Sequence, residues 1–307
     1  MTFVRAGPNR LGVAASPKSG VFWMIVSCLA FGSMWVLIRY ASREVHAFEI
    51  VFFRNAIGTA VLLPMMLRNK GLMRLDRVRA NLRRATSGFI ATTGTFYAVA
   101  HAPLATALSI NYTAPLFATV GAVLFLGEKI HARRVAALVA GFAGMLIVVR
   151  PGALPMTAGV LAAVISAVST AFSIIAIRQL VATDDSRSVA AWTFILMTPP
   201  SLLVALTVWE WPPAHVWPLL VAIGCVAAIG QLSMNRAFAL AEASAIMPYD
   251  FVRFGLVTIA GITLFGERLD TLTIVGGIVI FGATVYLAVR ERQLARNAIA
   301  AVPERPD

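Results

Sequence analysis

The sequence predicts an all-α membrane protein whose ten transmembrane helices form two inverted-topology five-helix repeats. Three observations carry that expectation. The 307 residues are 59% hydrophobic and only 13% charged, with a mean hydropathy of +0.81, too apolar for a globular domain in water. The apolar runs reach about 20 residues, enough to cross a ~30 Å hydrocarbon core as helices, and the short alternating segments of a membrane barrel do not occur. The sequence is also written twice. Gly20-Val21 recurs as Gly159-Val160, Ser27 as Ser166, Ile38-Arg39 as Ile177-Arg178, Ala98 as Ala237 and Gly127-Glu128 as Gly266-Glu267, each 139 residues on.

The runs place helices 1–5 at Val21–Ile38, Phe48–Leu67, Ala85–His101, Ala105–Leu126 and Val135–Val149. Helices 6–10 follow at Ala158–Val181, Val189–Trp209, Val216–Leu240, Ser244–Phe265 and Thr271–Val289. Residues 1–19 are a tail, 20–150 the first repeat, 151–158 a linker stopped by Pro151 and Gly152, 159–290 the second repeat and 291–307 a polar, frayed tail. The first run is longer than the apolar region of a signal peptide, and Arg39 follows it instead of a small-residue cleavage site, so it is a retained helix. Five crossings are an odd number, so the second copy enters the bilayer from the opposite side. Two similar units of opposite orientation have similar energies and can rock past one another about a shared centre, the architecture of many secondary transporters.

The net charge of +12 sorts by side. With the N-terminus inside, nineteen Lys and Arg fall in inside segments, including the run Arg68, Lys70, Arg74, Arg77, Arg79, Arg83 and Arg84. Four, Arg39, Arg43, Arg150 and Arg268, fall outside. The positive-inside rule therefore places both termini in the cytoplasm. The basic charge is a topology signal, with anionic lipid contact second, and does not indicate nucleic acid. Cys28 and Cys225 lie in apolar helices and read as buried thiols.

Helices 5 and 10 carry no internal charge but show Gly141 with Gly144, and Gly276-Gly277 with Gly282. Such small residues allow close helix approach, within the chain or in a homodimer through helices 5 and 10. Polar groups concentrate elsewhere, which places a central cavity between helices 1–4 and 6–9. Ionisable groups at membrane depth usually face protein or a watery cavity; here they are Arg54, Arg236, Asp250 and Arg253, with Glu49 and Glu242 nearer helix ends. Asp250 and Arg253 are three apart on one helix. They can neutralise each other or meet the two charges of a zwitterion.

Gln231, Asn235, Phe238 and Glu242 share one face of helix 8, and Thr93, Tyr97 and His101 one face of helix 3. Such faces are either interhelical seams or cavity walls. Ser166, Ser169 and Ser173 form a similar stripe that favours packing. Trp209, Trp211 and Trp217 suit an interfacial belt, whereas Trp35, Trp192, Tyr97, Tyr112 and Tyr249 can line a pocket. Gly127 and Gly266 should end helices, with Glu128 and Glu267 at the N-terminus of the helix that follows. Pro64, Pro115 and Pro199-Pro200 interrupt helix bonding. The candidate substrate-binding residues are thus Trp35, Tyr97, Asn111, Tyr112, Gln231, Asn235, Tyr249, Asp250 and Arg253.

Asn111-Tyr112-Thr113-Ala114-Pro115 and the apolar run to Leu126-Gly127-Glu128-Lys129 resemble the fourth helix of the EamA-type drug/metabolite transporter superfamily. Pro151-Gly152 and Phe265-Gly266-Glu267 fit the same pattern. The resemblance spans about residues 20–290 and implies a 5+5 carrier of the bacterial inner membrane, similar to amino-acid exporters of the YddG and RhtA kind. It departs where Pro115 maps onto Phe254, which implies an asymmetric cavity. His46, His101, His131 and His215 show no metal-ligand spacing, and no phosphate loop or nucleophile elbow appears. No enzyme, cofactor or metal is expected. The expected task is export of small metabolites, amino acids including aromatic or apolar ones. The alternatives are a carrier of a vitamin, nucleoside or drug, and a channel or receptor.

Overall fold

The computed structural model describes residues 17–114, 116–118, 120, 132–150, 156–241, 246–267 and 270–300. Pro115, Gly127 to Lys129, Pro151, Gly152 and Glu242, which figure in the sequence reading, lie outside the described residues. The helices are α1 (Pro17–Ala41), α2 (Ala47–Arg68), α3 (Val78–His101), α4 (Leu104–Asn111) and α5 (Ala132–Val149), then α6 (Ala158–Val181), α7 (Ser186–Ala205), α8 (Trp217–Leu240), α9 (Phe251–Phe265) and α10 (Thr271–Ala300). The expected ten helices are all represented. By length and composition, α1, α2, α6, α7 and α8 are each apolar enough to cross a membrane.

Several boundaries differ from the sequence expectation, α9 beginning at Phe251, not Ser244, and α7 ending at Ala205, not Trp209; three others have a physical reason. Helix α3 begins at Val78, not Ala85. Residues 79–85 are Arg, Ala, Asn and Leu without a breaker, so good helix formers carry the helix through the charges that hydropathy treats as a loop. Helix α4 stops at Asn111, because the Thr113 hydroxyl donates to the Ile110 carbonyl at 2.6 Å and Thr113 N–H to the same oxygen at 3.0 Å. Such local bonds compete with the helix ladder. Helix α10 runs on to Ala300 through Arg, Glu, Gln, Leu and Ala where a frayed tail was expected.

The repeat is visible in the packing. The two most extensive interfaces are α3 with α6 and α1 with α8, and the 139-residue shift converts one into the other. Ser27 donates to the Gly230 carbonyl at 3.0 Å and Ser166 to the Ala91 carbonyl at 2.8 Å, the same bond made once by each repeat. Thr59 and Thr198 are 139 apart and hydrogen-bonded to each other at 3.2 Å. A residue meets its own counterpart only on the axis relating the repeats, so that axis passes between α2 and α7.

The pairs α4–α9 and α5–α10 also join counterparts. A Cβ at Gly144 would lie 2.9 Å from the Gly276 carbonyl oxygen, and one at Gly276 2.6 Å from Val148 Cγ2. Backbones this close leave no room for side chains, so Gly144 and Gly276, offered above for contact within the chain or in a dimer, serve α5–α10 contact within one chain.

Gly266 ends α9 in the left-handed conformation at φ 62°, as expected. Glu267, however, does not serve the helix that follows. Its carboxylate accepts Leu104 N–H at 3.0 and 3.1 Å, at the start of α4 in the other repeat. It also pairs with Arg39 at 3.6 Å. Arg39 in turn donates to the Val99, Ala100 and Ala102 carbonyls at 2.7, 3.1 and 3.2 Å. Charge is matched to helix ends as expected, but across the repeats.

Candidate functional site

Helix α4 ends and helix α9 begins at equivalent positions of the two repeats. The 3₁₀ turn Met247–Asp250 precedes α9, and under the repeat shift it covers residues 108–111, where α4 ends. Asp250 is therefore the counterpart of Asn111, and Arg253 of Ala114. Broken helices near a repeat interface are where inverted-repeat carriers place substrate.

The two positions meet. Arg253 Nη2 lies 2.6 Å from Asp250 Oδ2, with 14% and 17% of the two side chains exposed. Tyr112, from the first repeat, donates its hydroxyl to the Asp250 backbone carbonyl at 2.6 Å. Arg253 Nε donates to that hydroxyl oxygen at 3.5 Å. The guanidinium carbon sits 5.4 Å from the Tyr112 ring centroid and 5.9 Å from that of Trp35. The Cys28 thiol donates to Asp250 Oδ1 and the Tyr249 carbonyl, both at 3.5 Å. Pairing and two aromatic faces offset much of the cost of burying these charges. A charge-assisted pair that retains some exposure can exchange partners, carboxylate to a ligand cation and guanidinium to a ligand anion.

Trp35, Tyr112, Asp250 and Arg253 are thus brought together, with Tyr249 joined through its backbone while its ring is exposed. The other four candidates have different partners. Asn111 Nδ2 donates to Ser166 Oγ at 3.3 Å, and Ser166 also shares a 2.6 Å bond with Thr95. Gln231 Nε2 donates to Asn235 Oδ1 at 2.9 Å, and Asn235 Nδ2 to the Ser186 carbonyl at 3.2 Å, tying α8 to the start of α7. Both residues are buried. Tyr97 stacks on His101 with centroids 4.1 Å apart. These groups form seams between or along helices.

Arg236 is exposed, its guanidinium 5.1 Å from the Trp23 ring centroid, and so leaves the list of membrane-depth cations facing the interior. Glu49 completes a capping box with His46 and accepts Glu210 N–H at 2.7 Å, a structural role at the start of α2. Trp209 packs on Phe52 and Phe53 while Trp211 is exposed, as an aromatic belt requires. Sequence reading missed Arg84. Counted with the inside loop, it lies buried within α3; the absence of Gly or Pro between residues 78 and 87 was the available signal.

The EamA-like transporter family matches residues 18–150 and, a second time, residues 157–289. The S-adenosylmethionine uptake transporter of Rickettsia felis is 27% identical, over 90% of this chain and 94% of its own length. The riboflavin transporter of Vibrio cholerae is 29% identical over 83% and 88%. The pseudopaline exporter CntI of Pseudomonas aeruginosa is 33% identical over 88% and 96%. A solved crystal structure covering 91% of this chain and 99% of its own shares the fold at a TM-score of 0.65 and 19% identity. Matched once in each repeat and across nearly all the membrane part, the chain belongs to the EamA-like transporter family.

Proposed function

We propose that this chain is a multi-pass secondary carrier of a bacterial inner membrane, with cytoplasmic termini, that moves a small metabolite by alternating access. Substrate binds between helices 1–4 and 6–9, at the level where α4 ends and α9 begins. The supporting observation is the Asp250–Arg253 pair at 2.6 Å, held against Tyr112 of the opposite repeat. A rocking motion of one repeat against the other must alter that contact, so a ligand held there is coupled to the motion.

Within this reading we assign amino acids as the substrate class and export as the direction. Asp250 meets the ammonium, Arg253 the carboxylate, and Trp35 and Tyr112 offer ring surface to an apolar side chain. S-adenosylmethionine, named for the Rickettsia relative, has an amino-acid end of this kind. A second reading, a vitamin or other uncharged metabolite, is favoured by the riboflavin relative.

Counterflow in proteoliposomes separates the two. Loading with unlabelled amino acids, S-adenosylmethionine or riboflavin should accelerate saturable entry of the labelled compound only for true substrates. Entry without saturation or counterflow would indicate a channel, and chemical change of the compound an enzyme.

A further inference from the structure

A second charged cluster lies between α2, α3 and α7, and it is not neutralised. Arg54 is the eighth residue of the 22 in α2, which places its Cα about 10 Å from one helix end and about 21 Å from the other. Arg54 and Arg84 are 4% and 5% exposed, and both reach α7 within one turn, Arg54 over Phe194 at 4.6 Å and Arg84 at the Gly88 Cβ position that Met197 also approaches. Among the described residues neither has a carboxylate partner. Asp250 is engaged by Arg253, Glu49 by the start of α2 and Glu210, and Glu267 by Arg39 and Leu104.

The compensation the chain does provide is partial. Arg54 stacks over Phe194 at 4.6 Å and donates to Asn55 Oδ1 at 2.6 Å. That bond fixes the Asn55 amide with its nitrogen free to donate. Arg54 Nε, Asn55 Nδ2, Arg84 Nε and Arg84 Nη1 are then buried without an acceptor among the described residues. All four are donors, and two guanidiniums carry two positive charges. Two glycines make the room: Phe194 occupies the Cβ position of Gly58 at 2.5 Å, and a Cβ at Gly88 would collide with Arg84 Nη1. An anion with several acceptor oxygens matches both the donors and the charge of such a set.

We propose that Arg54 and Arg84 form an anion subsite that receives a carboxylate or phosphate group of the transported metabolite. The site adjoins the repeat axis, since Gly58 and Phe194 lie beside Thr59 and one helical turn before Thr198, the pair on the axis. That is where an inverted-repeat carrier holds its cargo. The word transported rests on the carrier reading above; the anion site itself does not. The substrate class narrows to a metabolite with an acidic group beyond the one that meets Arg253, held on Arg54 and Arg84.

Binding is measured apart from transport, by thermal unfolding of the full chain in phosphatidylcholine nanodiscs titrated with succinate or inorganic phosphate. A parallel arm replaces part of the lipid with phosphatidylglycerol. Saturable stabilisation by a soluble anion is expected, with apparent affinity about tenfold or more weaker in Arg54→Gln and in Arg84→Gln. Because those variants can misfold, Met197→Glu supplies an independent test. Met197 Sδ lies 3.4 Å from the Cβ position of Gly88 that Arg84 Nη1 occupies, so a carboxylate here replaces the ligand. It should raise the unfolding temperature and abolish the response to added anion. A response to phosphatidylglycerol alone would reassign the site to a lipid headgroup. Absence of any response, or an undiminished response in Met197→Glu, would overturn the site. Failure of counterflow with intact anion binding would strike only the carrier reading.

Discussion

The two repeats share a frame and differ in charge. The first buries Arg54 and Arg84, whose counterparts in the second are Thr193 and Ile223. The second holds Asp250 and Arg253, whose counterparts in the first are Asn111 and Ala114. Around them the frame is shared: Ser27 and Ser166 make the same bond once in each repeat, and Thr59 and Thr198 meet on the axis. A carrier needs both properties. Matched frames keep the two orientations close in energy, whereas a substrate without symmetry requires unmatched groups to hold it.

The largest expected effect is all-or-none and tests whether the frames are inverted. Asp76, whose side chain is 73% exposed, and Ala214, also exposed, lie in equivalent connections of the two repeats. In a cysteine-free background, Asp76→Cys should label only from the cytoplasm and Ala214→Cys only from outside. Labelling from one common side would break the comparison at its root.

Next in size is the charge difference itself. Asp250→Asn or Arg253→Gln alone leaves a buried charge unpaired and should destabilise by about 3–5 kcal/mol, with the double variant less affected. Chemical denaturation of the three variants in detergent reads this directly. A double variant as unstable as the worse single would mean that the two charges do not act as a pair.

Smaller still is the frame bond made twice. Ser27→Ala should cost about 0.6 kcal/mol, the usual worth of a hydrogen bond between membrane helices. Ser166→Ala should cost more, up to about 1.7 kcal/mol, because Ser166 also serves Thr95 and Asn111. Equal costs would show that those extra partners add nothing.

Smallest is a pH effect at the start of α7. Asp185 Oδ1 accepts Arg187 N–H at 2.8 Å, and its carboxylate also meets the Arg187 side chain. These bonds hold its carboxyl below the usual range. The stabilisation is complete above an unfolded value of about 4 and disappears as pH falls through the lower folded value. Asp185→Asn should therefore flatten the fall in unfolding temperature as pH drops below about 4; an unchanged slope would remove Asp185 from the account.

Much of the frame was legible because hydropathy and a fixed offset are properties of the chain itself. Ten helices and Gly266 as a terminator followed from hydropathy and spacing, as did the small-residue faces of α5 and α10, but not that those two faces meet within one chain. Other features depend on what folding brings near. Nothing local to Glu267 indicates that its helix terminus lies in the other repeat, because that contact spans 163 residues. Arg84 looked like a loop charge because hydropathy cannot distinguish an arginine that ends a helix from one buried inside it. Gln231 and Asn235 offered a polar face, but only their partners show that the face ties α8 to the start of α7. For Asp250 and Arg253, sequence supplied the pair, while Tyr112 and Trp35 as its neighbours came from the structure.

The central claim is that asymmetric charges at the repeat interface select the substrate. Its most direct test is substrate choice by Asp250→Asn/Arg253→Gln in proteoliposomes, comparing an amino acid with an uncharged amide analogue lacking the ammonium. Amino-acid affinity should fall while the analogue is relatively spared. Unchanged amino-acid affinity in a folded double variant would contradict the claim and return the pair to a structural role.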